Sequence, residues 1–194
     1  MPKYGVSVMH VREAIVNRRT VRSFCQKPVS TELLTEICGL ARLYANGGNL
    51  QPICFQIINN QEICSVIFSN IYLAAYLPEY RIGRDEQPPA YIAILTDRTV
   101  SEEPQFEAGA ASTNIMLLAK EKGLDTCCIG NFKRDELARI LHVNTDKYKL
   151  MYLLGVGKSE QRNTIESMKD TVKYRYEGGK FIVPKRNISD VLLL

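Results

Sequence analysis

The chain has 194 residues, 45% hydrophobic and 24% charged, the balance of one ordinary globular domain rather than of a disordered or fibrous chain. Its apolar runs, such as Ala90 to Leu95, fall far short of the ~20 residues that a membrane-spanning helix needs, so a helical membrane protein and a membrane partner are excluded. The formal charge of +4 comes with bases and acids interleaved, without the sustained basic block or the helix-turn-helix signature that would point to nucleic acid. Residues Met1 to Gly5 carry no secretory pattern, and five of the six cysteines (Cys38, Cys54, Cys64, Cys127, Cys128) lie in apolar segments without a CxxC pair. Reduced thiols packed as small core residues, in a cytoplasmic protein, are expected.

In chain order, Val8 to Arg19 is expected to be a helix with Val11, Ile15 and Val16 toward a core. Ser30 is a suitable N-cap for a second helix, in which Leu33, Leu34, Ile37, Leu40, Ala41 and Tyr44 keep helical spacing up to Gly47-Gly48. Ile53 to Ile58 reads as a buried strand and Ile63 to Leu77 as a helix ended by Pro78. A proline-bracketed loop or lid spans Pro78 to Pro89, followed by a fully buried strand over Tyr91 to Leu95. Phe106 to Lys122 is a helix whose small residues let a backbone or a flat ligand come close. A strand over Asp125 to Ile129, a short helix over Lys133 to Leu141 and a strand over Leu150 to Leu154 complete the pattern, with Gly155 to Gly157 read as the turn at that strand's end. No repeat or linker interrupts the chain, which gives a single domain over 1–194. The tail from 159 to 194 is thin in apolar residues; Tyr174, Tyr176, Phe181, Ile182 and Val183 are its anchors, and a partner subunit is one surface for it.

Several chemistries lack their residues. His10 and His142 have no second ligand at zinc spacing, and no GxSxG elbow occurs. Gly155-Val156-Gly157-Lys158-Ser159 has Tyr152 where a phosphate-binding loop needs glycine and Glu160 where a dinucleotide fingerprint needs a small residue. What remains suits an anionic, flat ligand with polar edges. Arg18, Arg19 and Arg22 can fork onto phosphate oxygens, with the hydroxyl of Thr20 among them. Asn46-Gly47-Gly48-Asn49-Leu50-Gln51-Pro52 offers amides that donate and accept beside glycines that permit close approach, although the same residues would also make a plain turn. A second basic cluster runs from Lys169 to Arg186.

The succession Arg18-Arg19-Thr20-Val21-Arg22-Ser23-Phe24, Pro28-Val29 and Asn49-Leu50-Gln51-Pro52 resembles the opening of the FMN-dependent nitroreductase family. Glu107-Ala108-Gly109-Ala110-Ala111, Asn114, Lys122 to Gly130, Leu154-Gly155-Val156-Gly157 and Val183-Pro184-Lys185-Arg186 continue the likeness, in order, over roughly residues 10 to 193. The resemblance implies an α+β fold, a mostly antiparallel central sheet flanked by helices, in an intertwined homodimer whose tail wraps the partner. It also implies FMN as cofactor, NADH or NADPH as electron donor, and a small-molecule acceptor: nitroaromatic, quinone, enone or flavin, reduced in a ping-pong cycle. By the same likeness Arg18, Arg19, Thr20 and Arg22 hold the phosphate and ribityl end, joined by Lys185 and Arg186. Asn46, Gly47, Asn49 and Gln51 serve the pyrimidine edge from the other subunit's loop, and Glu107 lies close to the ring. Ile129 and Gly130 pass beneath the flavin, with a backbone N–H near Gly130 on N5. No side chain is needed as acid, base or nucleophile, because the cofactor carries the chemistry. A flavin- or nucleotide-binding module without efficient turnover is the alternative.

Overall fold

A computed structural model of the chain describes residues 9–102 and 104–193; Val8, the expected start of the first helix, lies outside them. The helices are α1 (Val11–Asn17), α2 (Thr31–Ala41), α3 (Gln61–Phe68), α4 (Gln105–Glu121) and α5 (Arg134–Ile140). The apolar, β-branched runs form β1 (Ile53–Ile58), β2 (Ala90–Asp97), β3 (Asp125–Ile129) and β4 (Tyr148–Gly157). These four strands make one sheet in the order β1-β2-β4-β3, every neighbouring pair antiparallel. Against one face pack Leu34 and Ile37 of α2 with Ala108, Ala111 and Ile115 of α4, meeting Ile92, Ile94, Leu154 and Val156. Against the other, Cys64 and Ile67 of α3 and Leu137 of α5 meet Tyr91, Ala93 and Leu153. Helices on both sides explain why β2 shows no polar alternation: its residues Ala90 to Leu95 are all buried. The fold is α+β, as expected.

Local chemistry fixes the helix starts. The Ser30 hydroxyl accepts from Leu33 N–H at 3.3 Å, and the Asn60 side chain accepts from Ile63 N–H at 3.0 Å, each satisfying a donor left free by a helix N-terminus. Two expected elements are corrected. The first helix spans Val11–Asn17 and buries only Ala14, so Val11, Ile15 and Val16 face outward rather than into a core. The third ends at Phe68, not Leu77: Ser69 Oγ and Asn70 Nδ2 bond back to the carbonyls of Ser65 and Val66 at 3.0 and 2.9 Å. The chain then leaves helical geometry, and Ile71 forms a β-bridge with Phe132. Cys128 is a further correction, being exposed rather than packed in the core.

Gly155 and Gly157 are strand residues of β4, not a turn. A Cβ on Gly155 would come within 2.8 Å of Pro88, and one on Gly157 within 2.6 Å of Pro89 and 3.1 Å of Phe24. The absent side chains let the Pro88-Pro89 segment close over the strand.

The tail forms its own sheet from β5 (Thr164–Ser167), β6 (Arg175–Glu177) and β7 (Lys180–Lys185), in the order β5-β7-β6. Phe181 is fully buried, with the rings of Tyr80, Tyr174 and Tyr176 centred 5.0, 5.6 and 4.9 Å from its own. One ring supplied by the 78–89 loop and three by the tail compensate for the scarcity of aliphatic anchors.

Replacing Gly157 by Ala should cost about 1–3 kcal/mol through overpacking against Pro89. Gly39→Ala, in α2 with nothing within 4 Å of the new methyl, should instead add up to about 1 kcal/mol. Urea unfolding of both variants checks the pair; an unchanged midpoint for Gly157→Ala would contradict the packing account.

Candidate functional site

After α1 ends, Arg18 turns the chain extended (φ −63°, ψ 126°) and the following residues run beside β3. Thr20 forms a parallel bridge with Thr126, and Val21 N–H donates to Thr126 O at 3.1 Å. The opposite edge is stitched to residues 158–163. Asn163 Nδ2 donates to Thr20 O at 2.7 Å, Arg22 N–H to Gln161 Oε1 at 2.8 Å, Ser159 Oγ to Ser23 O at 2.7 Å and Cys25 N–H to Lys158 O at 2.8 Å. Val21 and Phe24 are buried beneath this segment, while Arg18, Arg19, Thr20 and Arg22 are half-buried. The basic motif is therefore a fixed ribbon rather than a flexible loop.

Its charges are not all equivalent. Partial burial, and then the charge of Arg18 next door, lower the pKa of the Arg19 guanidinium; an anion nearby would relieve both effects. Arg19 also lines a polar cavity of about 490 Å³ with Lys120, Asp125, Arg162 and Asn163. Arg22 lies with its Cζ 4.3 Å from the Phe181 ring centroid and 4.8 Å from that of Tyr174. Cys128 reaches solvent on β3; the protein packed around its sulfur raises the thiol pKa, and the charge of Arg18 opposes that shift.

The amide-rich loop forms the second part. A single 3-10 turn spans Gly47–Asn49, and Gly48, Asn49 and Gln51 all have left-handed backbones, with φ of 56°, 54° and 54°. Two such non-glycine residues store strain that the surroundings must hold in place. Tyr44 supplies part of the restraint: its hydroxyl accepts from Ile53 N–H at 3.1 Å, and its carbonyl accepts from Asn46 Nδ2 at 2.8 Å. That second bond leaves Asn46 Oδ1 buried, with no donor among the described residues. A buried acceptor in this condition is costly unless something supplies a proton.

The first turn of α4 joins the loop to the end of β3. Glu107 Oε1 accepts from Gly47 N–H at 3.4 Å. Two residues earlier, Gln105 Oε1 accepts from the Tyr152 hydroxyl at 3.4 Å, and a Cβ on Gly130 would lie 3.8 Å from the Tyr152 ring. Asn46, Gly47, Glu107 and Gly130 thus belong to one connected region, with Asn49 and Gln51 exposed on the loop. Ile129 is buried in the core, so only its main chain can face a ligand. Asn114 serves packing, its Nδ2 donating to Ala41 O at 3.4 Å.

Lys185 and Arg186 do not join this group. Both are exposed, Lys185 as the last residue of β7, paired with Ser167, and Arg186 just beyond it, where it donates to the carbonyl of Asp190. Among the described residues no hydrogen bond or ring contact links either to Arg18 or Arg19; beyond the clasp made by residues 158–163, the tail sheet and its flank meet the basic ribbon through Tyr174 and Phe181. Sequence reasoning missed Tyr152, Asn163 and the placing of Cys128. The bond from Asn163 to Thr20 pairs residues 143 positions apart, which no local pattern encodes.

A strand-bound basic ribbon, a strained amide loop and a helix start between them, set on an antiparallel sheet, define a class. The sequence profile of the nitroreductase family matches residues 15–158, and the chain belongs to that family. An Archaeoglobus fulgidus protein provisionally named as an NADH dehydrogenase/NAD(P)H nitroreductase is 25% identical over 131 residues, 66% of this chain and 71% of its own length. The 4-nitrobenzoate reductase of Pseudomonas putida is 20% identical over 200 residues, covering 80% of this chain and 88% of that protein. A chain from Exiguobacterium sibiricum, solved in complex with FMN, superposes with a TM-score of 0.66 at 21% identity, over 79% of this chain and 90% of that one.

Tyr44→Phe should cost about 1–2 kcal/mol, because it leaves the Ile53 N–H buried without an acceptor. Chemical denaturation measures the loss, and faster amide exchange at Ile53 should accompany it.

Proposed function

We propose that the protein is an FMN-dependent NAD(P)H oxidoreductase that reduces small flat acceptors, nitroaromatics, quinones, enones or flavins, in a ping-pong cycle. The observation that carries this reading is the pairing of a rigid cationic ribbon with a buried, donorless amide oxygen at Asn46. A flavin mononucleotide has the complementary groups, a phosphate for the guanidinium donors and an imide N–H for a buried acceptor. The residues fit it.

FMN, when bound, supplies hydride transfer through N5, first from the nicotinamide and then to the acceptor. The chain's own residues bind and orient. Arg18, Arg19 and Thr20 would hold the phosphate, with Arg22 beside them toward the ribityl chain. Asn46 Oδ1, Asn49 and Gln51 would meet the pyrimidine edge, and Glu107 fixes the loop by accepting from Gly47. The main chain at Ile129 and Gly130 would offer an N–H to N5, a donor fixed before the reaction and therefore free of reorganisation cost. Lys185 and Arg186 are the remaining candidates for the phosphate. The family match and the FMN-bound relative support the cofactor; the names of the Archaeoglobus and Pseudomonas proteins support the donor and the nitro acceptor.

The working unit in this reading is a homodimer. On α1, Val11, Ile15 and Val16 are 71, 56 and 56% exposed, and Leu40, Leu43, Leu50 and Phe106 are exposed as well. Beside α1 runs an apolar groove of about 280 Å³ lined by Val11, Ala14, Leu40, Leu117 and Leu118. A monomer rarely leaves so much apolar side chain in water, and a second copy is the cover that also brings an amide loop to each cofactor. No helix among the described residues is long and apolar enough to cross a membrane.

Purified protein reconstituted with FMN should be yellow and should oxidise NADH or NADPH when a quinone or nitroarene is supplied. Flavin bound but reduced by neither nucleotide would leave a binding module, and no flavin binding at all would overturn the reading. Ile15→Glu should give a monomer by light scattering, with FMN affinity reduced at least about tenfold. A dimer of full affinity would contradict the proposed interface.

A further inference from the structure

Arg22 stands apart among the basic residues of the ribbon. Its guanidinium lies over two rings, 4.3 Å from Phe181 and 4.8 Å from Tyr174, both contributed by the C-terminal tail. Among the described residues it has neither a hydrogen-bond acceptor nor an acidic partner, so its N–H donors are uncommitted while its cation is held against the two rings. A guanidinium held by aromatic contacts loses rotational freedom that a bare arginine side chain retains. The contact is braced in turn. Phe181 N–H donates to Asn163 Oδ1 at 2.9 Å, the same Asn163 whose Nδ2 holds Thr20 O at 2.7 Å, and Gln161 Oε1 accepts from the main-chain N–H of Arg22. Tyr174 stacks further on Tyr76, ring centroids 5.0 Å apart. The aromatic part of the tail therefore touches the basic ribbon at Arg22 and restrains its side chain.

We propose that Tyr174 and Phe181 are positioning residues of the cofactor site: acting through Arg22, they aim its uncommitted N–H donors at the bound flavin nucleotide, so that tail docking and FMN binding strengthen each other. This rests on the FMN reading above. Linkage requires reciprocity: if the docked tail raises FMN affinity by some factor, FMN raises the stability of the docked tail by the same factor. The aromatic character of position 174 matters and its hydroxyl does not, since among the described residues no hydrogen bond from the Tyr174 hydroxyl supports the contact with Arg22.

The test uses the full-length chain with FMN as titrant. Tyr174 is only half-buried, so its replacement should leave the fold intact, which thermal unfolding of the apo-protein verifies. Tyr174→Leu should weaken FMN binding roughly tenfold and remove FMN-dependent protection of the 168–186 segment from limited proteolysis, whereas Tyr174→Phe should restore both. Arg22→Lys, which keeps the charge but loses the guanidinium's contact with both rings, should match Tyr174→Leu, and the double variant should be no worse than either alone. Equal FMN affinity in Tyr174→Leu and the unaltered chain, or additive losses in the double variant, would overturn the positioning role. Failure of the unaltered chain to bind FMN would instead sink the cofactor reading itself, and the two failures are thereby told apart.

Discussion

The extended run from Thr20 to Cys25 is the element on which the rest of the site depends. It is held on one edge by Thr126 of β3 and on the other by Lys158, Ser159, Gln161 and Asn163, all through main-chain groups of the run itself. Because the backbone is tied at Thr20, Val21, Arg22, Ser23 and Cys25, its arginine side chains are presented from a fixed base. Three guanidinium groups within five residues repel one another, and a flexible loop would let them splay. The clasp prevents that, so in the proposed reading part of the cost of assembling an anion site is met during folding, before any ligand arrives.

The sheet serves this arrangement by bringing distant segments together. β3 is an edge strand of the four-stranded sheet, which leaves it free to pair with the basic run. β4, antiparallel to β3, carries Tyr152 toward the Gly130 end and delivers Lys158 and Ser159 to the far side of the run. Its two glycines allow Pro88 and Pro89 to close over the strand in the same place. Core packing and site geometry are consequently one problem here. A methyl group at Gly157 would press on Phe24, which belongs to the same clasped run.

Much of this was legible in the residues. The bounds of β1 and β3 follow from apolar, β-branched runs between turn residues, and Ser30 caps its helix as its chemistry suggests. The arginine and amide clusters stand out in the sequence, and the structure places Asn46 and Gly47 beside Glu107 and fixes Arg18, Arg19 and Arg22 on one ribbon. Periodicity failed at α1 because an apolar stripe does not say whether it meets its own core or another chain. It failed after Phe68 because Ser69 and Asn70 turn their side chains onto the backbone, and the pairing of Ile71 with Phe132 outweighs the helical tendency of the residues that follow. The separation of Lys185 and Arg186 from the first basic cluster was not legible at all, because the contact made by the tail is aromatic and long-range.

The central claim is that the basic run is a rigid, preassembled cradle and that the strained amide loop completes it around a flavin nucleotide. Residue-resolved amide hydrogen exchange, with and without saturating FMN, tests this most directly. The account predicts that Val21, Arg22 and Cys25 are protected before FMN is added, and that FMN then slows exchange through residues 46–51. Rapid exchange at those three amides in the apo-protein, or FMN binding that leaves 46–51 unchanged, would contradict it.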